Sequence, residues 1–147
     1  MVEIEIIKSK ISQLKNIEKL LVELLQDRAV LIYDMERVKA VQYDKPKGNV
    51  NHNAIEMNRI ELSDKLEKLE GKIEENLEML KNILRLLKEI DKENEKLIVE
   101  GVEINPSEVL ICVLCKEKSN QEAIKIFGFK NKVSMYRYID NAIEGIL

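Results

Sequence analysis

Apolar residues near the start of the chain recur in steps of three and four: Ile4, Ile7, Ile11, Leu14, Leu21, Leu25, Ile32 and Met35. Such steps place side chains on one stripe of an α-helix. Ile17, Leu24, Leu31 and Val38 widen the stripe, so the helix buries more than a narrow seam. No Gly or Pro interrupts the pattern, which predicts a helix over about 3–42. The stretch YDKPKGNVNHN, residues 43–53, brings Pro46, Gly48 and several Asn, and predicts a loop that reverses the chain. A second periodic segment predicts a helix over about 54–100. Ile55, Leu62, Leu69, Ile83, Ile90 and Leu97 are spaced by multiples of seven. Leu66, Ile73, Leu80 and Leu87 form a second series four residues after the first. Together they read as the a and d positions of a coiled coil. Asn76 and Asn94 fall on the same seam, where a polar residue sets register or partner number. Two long helices joined by one loop predict an antiparallel hairpin, and the apolar surface it leaves uncovered predicts self-association.

The pattern changes at EGVEINPSE. Gly101 is placed to end the long helix. Asn105, Pro106 and Glu108 read as an N-cap, a first-turn proline and a capping-box acid for a helix from Pro106 to about Glu117. Ser119 or Asn120 caps a short helix over about Gln121–Phe127, which Gly128 ends. A last helix begins near 131–133. Its apolar face is Met135, Ile139, Ala142, Ile143 and Ile146, and Ala123, Ile124 and Phe127 of the preceding helix face the same core. Lys130, Ser134, Arg137 and Asn141 lie opposite, with Tyr136 and Tyr138 at the flanks. Two short helices joined at a glycine, the second one basic, make a helix-turn-helix pattern. The expected fold is all-α: a long helical hairpin over 1–104, then a helix-turn-helix domain over 105–147.

Charge sharpens this division. The whole chain of 147 residues carries −3, yet residues 125–138 hold four basic residues and no acid. Lys and Arg there suit phosphate oxygens or guanine edges, and Asn or Ser at a helix start suits bases or phosphate. The candidate DNA contacts are Lys130, Asn131, Lys132, Ser134, Tyr136, Arg137, Tyr138 and Asn141. Cys112 and Cys115 form a lone C-x-x-C on an apolar run, and the single histidine, His52, lies far away, so they read as structural cysteines and no metal or cofactor is expected. There is no phosphate-binding glycine loop and no catalytic constellation, so the chain does not read as an enzyme. No apolar run is long enough to cross a membrane and no signal-peptide pattern opens the chain; the expected location is cytoplasmic.

The segments RVKAVQYDKPKGN, NQEAIKIFGF and SMYRYIDNAIEGIL resemble the ArpU-type transcriptional regulators of phages and prophages, and the end of the chain is similar to region four of bacterial sigma factors. The resemblance implies a helical hairpin, a long second helix and a sigma-like helix-turn-helix. It also implies a regulator of late phage genes that binds promoter DNA or works beside RNA polymerase in the bacterial host. The alternative reading is a non-enzymatic coiled-coil adaptor or assembly protein, including a small-terminase-like DNA-packaging subunit.

Overall fold

A computed structural model describes residues 2–44 and 52–147, and the side chains of 2–37 and 58–147. The described residues are mostly helical, with one small sheet. In order they form α1 (Val2–Ser12), α2 (Leu14–Asp44), α3 (His52–Glu93), β1 (Leu97–Val99), β2 (Val102–Ile104), α4 (Pro106–Leu114), α5 (Asn120–Phe127) and α6 (Lys132–Glu144).

Several expected boundaries move. The first long helix is interrupted at Gln13, whose N–H bonds Lys10 O at 3.2 Å, an i→i−3 bond that tightens the turn. Regular bonding resumes at once, with Ile17 N–H on Gln13 O at 2.9 Å. Most of the expected loop, residues 45–51, lies outside the described residues, whereas Tyr43 and Asp44 close α2 and His52 and Asn53 open α3. The second long helix does not reach residue 100. It stops at Glu93, where Asn94 turns its Nδ2 back onto Ile90 O at 2.9 Å and also reaches Ala142 O at 3.0 Å. Asn94 thus ends the helix rather than sitting in a seam. Asn76 likewise spends its amide on its own helix, donating to Lys72 O at 2.8 Å.

The chain beyond Asn94 turns into a hairpin. β1 and β2 pair antiparallel in the register Leu97↔Ile104, Ile98↔Glu103 and Val99↔Val102. The two turn residues, Glu100 and Gly101, both have positive φ, 51° and 81°. That is the primed turn whose twist matches paired strands. Ile98 and Glu103 point away from the unit, while Leu97, Val99 and Ile104 are half-buried; Val102 lies on their side but is exposed beside the turn.

Residues 1–17 and 79–147 form one compact unit and residues 18–78 another. Compactness therefore divides the chain elsewhere than at residue 104. The reason lies in α1, which packs against α4 and α6 and buries Ile7 and Ile11. In this first unit Ile11, Leu14, Ile83, Leu87, Ile90, Val109, Leu110, Met135, Ile139 and Ile143 form the core. Cys112 is buried and burial pushes its thiol up, with the Glu117 charge adding. Cys115 is half-buried and its Sγ donates to Ile11 O at 3.3 Å, beside the break in the first helix.

The start of α4 departs from its expected cap. Pro106 sits in the first turn as expected, but the Asn105 side chain makes no cap hydrogen bond. The cap comes from the last turn of α3: Asp91 accepts from Ser107 N at 2.8 Å and from Ser107 Oγ at 2.7 Å. A carboxylate at a helix N-terminus satisfies an otherwise orphaned N–H and meets the favourable end of the helix dipole. Asp91→Ala is expected to lower unfolding stability by about 2 kcal/mol, because charge-assisted bonds are lost and Ser107 is left buried. Urea unfolding should show the midpoint falling at an unchanged slope.

In the second unit Leu21, Leu24 and Ile73 are buried, while Leu31, Leu62, Leu66 and Leu69 are only half-covered. Arg28 Nε pairs with Glu70 Oε1 at 3.3 Å, joining α2 to α3. No helix among the described residues is long and apolar enough to cross a membrane.

Candidate nucleic-acid interface

The candidate face is carried by α6, and three helices set its position. α4, α5 and α6 all pack against one another. α5 begins on Ser119, whose side chain accepts from Glu122 N at 3.2 Å, as the sequence predicts for a capping residue. It ends on Gly128 at φ 74°, a left-handed conformation that strains any residue bearing a Cβ. Phe129 N–H then bonds Ile124 O at 3.0 Å, closing the last turn. A Cβ added to Gly128 would lie 3.9 Å from Val99 Cγ1, so the inner face of the hairpin covers this turn.

Four residues separate α5 from α6, which begins behind Asn131. By its residue type Asn131 is a candidate to offer its side chain to DNA. The structure instead places Oδ1 on Ser134 N at 2.8 Å, which makes Asn131 the N-cap of α6. Ser134, whose N–H is consumed by that cap, is half-buried rather than outward-facing. The inward face holds as expected: Met135, Ile139, Ala142 and Ile143 are buried and Ile146 is half-buried. Ala123 and Phe127 of α5 are buried against the same core, and Ile124 is half-buried.

On the outer side, Lys130, Lys132, Arg137 and Asn141 are exposed. Lys132, Val133, Tyr136, Arg137 and Asp140 line a shallow open depression along α6. Tyr136 is half-buried and its hydroxyl bonds Asn120 Oδ1 at 3.2 Å, which holds the ring across the two helices. Lys132 Nζ stands 5.9 Å from the centre of that ring. Val133 is 65% exposed, an apolar side chain offered outward between Lys132 and Arg137. Sequence reading missed it, although its place three residues before Tyr136 and four before Arg137 is the signal that could have found it.

Asp140 brings a negative charge to the same depression. It pairs with Lys8 of α1, Nζ lying 2.5 Å from Oδ1, and Lys8 also reaches Glu5 at 3.5 Å. Partial burial alone would lower the Lys8 pKa. The bond to Asp140 and its charge, with Glu5 adding, outweigh burial and hold Lys8 above the ordinary lysine range. Lys8 is therefore charged throughout the neutral range, and the Asp140 carboxylate is met from within the unit.

Tyr138, another candidate contact, turns inward. Its ring lies 5.4 Å from that of Phe129, which in turn meets Phe127 edge-on at 6.5 Å. Its hydroxyl is buried without a hydrogen-bond partner among the described residues. Burial, and then the Asp91 charge, raise its pKa above the ordinary tyrosine value. A tyrosine raised in this way leaves stability unaffected below the unfolded value of about 10 and lowers it as pH climbs from there through the folded pKa. Tyr138→Phe removes a polar group that is desolvated and unpaired, so it is expected to raise stability by about 1 kcal/mol. It should also delete a tyrosine that ionises above the ordinary value in an alkaline absorbance titration, and leave any DNA affinity unchanged.

The structure thus brings Lys130, Lys132, Arg137 and Asn141 to an exposed side of the unit with Tyr136 at the edge. It assigns Asn131 to a cap, half-buries Ser134 and packs Tyr138 inside. No protein-family model, no curated protein and no solved structure matches this chain.

Proposed function

We propose that this protein is a sequence-specific DNA-binding transcriptional regulator that reads duplex DNA with α6. In this reading α5 and α6 are the two helices of a helix-turn-helix, with α4 packed behind them. The observation that carries it is the two-sided character of α6: Met135, Ile139, Ala142 and Ile143 are at most 2% exposed, while Lys132, Val133 and Arg137 stand in the open. A surface helix that only packs also shows a polar outer side, so the content of that side carries the reading. The second side combines cations for phosphate or guanine with an apolar group suited to a thymine methyl. The resemblance to ArpU-type regulators supports the narrower role, control of late phage or prophage genes beside the host RNA polymerase.

The long helices complete the reading as an antiparallel hairpin for self-association. Arg28 lies 16 residues before Asp44, and Glu70 lies 18 residues after His52. At about 1.5 Å per residue the ion pair is then roughly 24–27 Å from each inner helix end. Parallel helices would need a link of roughly 50 Å, but the seven intervening residues reach at most about 28 Å. Opposite directions satisfy the link without strain.

The deciding experiment is selection of bound duplexes from a random pool, followed by titration at increasing salt. A consensus is expected, with affinity falling about 40-fold between 50 and 200 mM salt for three phosphate contacts per module. No binding at low salt by a protein that still self-associates would instead favour an adaptor or assembly role.

A further inference from the structure

The second compact unit carries a charged and apolar surface that the DNA reading does not use. α2 and α3 flank an open cleft of about 370 Å³. Its apolar floor is Val30, Leu31 and Leu69, of which Val30 is 61% exposed and the two leucines are half-buried. Its walls differ in sign by helix. The α2 wall carries Asp27 and Asp34, and the α3 wall carries Lys65 and Lys72. Among the described residues none of these four forms an ion pair.

The spacing repeats on both walls. Asp27 and Asp34 are seven residues apart, as are Lys65 and Lys72, so each pair lies two helical turns apart on one face. The heights match as well. Arg28 is level with Glu70, so in antiparallel helices Asp27 is level with position 71 and Asp34 with position 64. Each aspartate therefore lies within one residue's rise of a lysine on the opposite wall, yet no ion pair joins the two walls among the described residues.

We propose that this cleft is the contact between two copies of the chain, which meet face to face about a twofold axis parallel to the helices and close a four-helix bundle. A twofold contact uses the same patch on both copies, so it must be self-complementary. That axis sets α2 of each copy against α3 of the other and preserves height. Asp27 then meets Lys72 of the second copy, Asp34 meets its Lys65, and the symmetry repeats both pairs. Val30, Leu31 and Leu69 of both copies come together behind these charges as a bundle core. The other face-to-face arrangement, with the axis crossing the helices, sets α2 on α2 and α3 on α3. It opposes like charges along both walls, and like-charge juxtaposition selects against it. The occupant of the cleft is thus a second copy, related by the axis parallel to the helices.

The inference rests on the self-association assigned to the long helices and is independent of the DNA reading. Its test is the mass of the full chain in solution by analytical ultracentrifugation, with circular dichroism confirming that each variant remains helical. The unaltered protein is expected to be a dimer. Asp27→Lys with Asp34→Lys makes both walls basic, and Lys65→Asp with Lys72→Asp makes both walls acidic. Each variant alone is expected to dissociate at least 100-fold more readily. An equimolar mixture of the two should restore a one-to-one dimer, and a single chain with all four reversals should dimerise like the original. A monomeric original protein overturns both this face and self-association. An original dimer whose mass is indifferent to the reversals overturns the face alone and leaves self-association standing. If the reversals separate the copies but neither the mixture nor the fourfold variant recovers, the proposed charge pairing and its symmetry are wrong.

Discussion

Changing Lys132 and Arg137 together to glutamate is expected to weaken binding to a selected duplex by about 100-fold at moderate salt. Removing a single base- or phosphate-contacting cation costs about tenfold or more, and the acids that replace these cations face a strand of phosphates. The loss reports binding rather than folding. Both side chains are exposed, and Lys132 opens α6, where an acid suits the helix dipole better than a lysine does. Circular dichroism and urea unfolding should therefore be unchanged. The salt dependence is the sharper readout: with two phosphate contacts gone, the slope of log affinity against log salt should fall by about 2. An unchanged affinity and slope would show that the outer face of α6 is not the DNA-binding surface.

Ile139→Ala tests the other side of the same helix and is expected to lower unfolding stability by about 2–5 kcal/mol. Ile139 is fully buried between Met135 and Ile143, one turn away on either side, in a core to which α1, α4 and α5 also contribute. Truncation removes apolar contact and leaves a cavity that four packed elements cannot readily collapse around. Urea unfolding followed by circular dichroism gives the measurement. Where the variant is still folded, its affinity for duplex should match the original, because Ile139 lies behind the outer face. Together the two substitutions separate what α6 does for the fold from what it does at the surface. A loss below about 1 kcal/mol would mean that α6 is not anchored through this face.

Much of α6 is legible in its residues alone. The inward face follows from apolar residues three and four apart, and burial of Met135, Ile139, Ala142 and Ile143 agrees with it. Ser119 and Gly128 act at the ends of α5 as their residue types require. The eight candidate contacts are less legible, because helical spacing gives an angle about the axis but not what surrounds it. Tyr138 sits at a flank by spacing, and only the neighbouring Phe129 decides that its ring turns in. Asn131 is correctly placed at the start of α6, but a cap and a base contact compete for the same side-chain oxygen, and the backbone N–H of Ser134 takes it.

The long heptad pattern misleads in a specific way. Leu97 continues the series of sevens, so periodicity alone carries the helix through it. The competing signal is local: β-branched residues on both sides of Glu100-Gly101, a pair suited to a tight strand turn.

The sequence by itself therefore determined the helical character, the course of the two long helices near their centres, the ends of α5 and the two-sided pattern of α6. These depend on residues within a turn or two of one another, where backbone geometry leaves few choices. Only the tertiary structure decided that Asp91 caps α4 from 16 residues away, that Lys8 meets Asp140 across almost the whole chain, and that acidic and basic walls face one another over a shared cleft. Such pairings depend on which elements become neighbours in space, and helical periodicity carries no information about that.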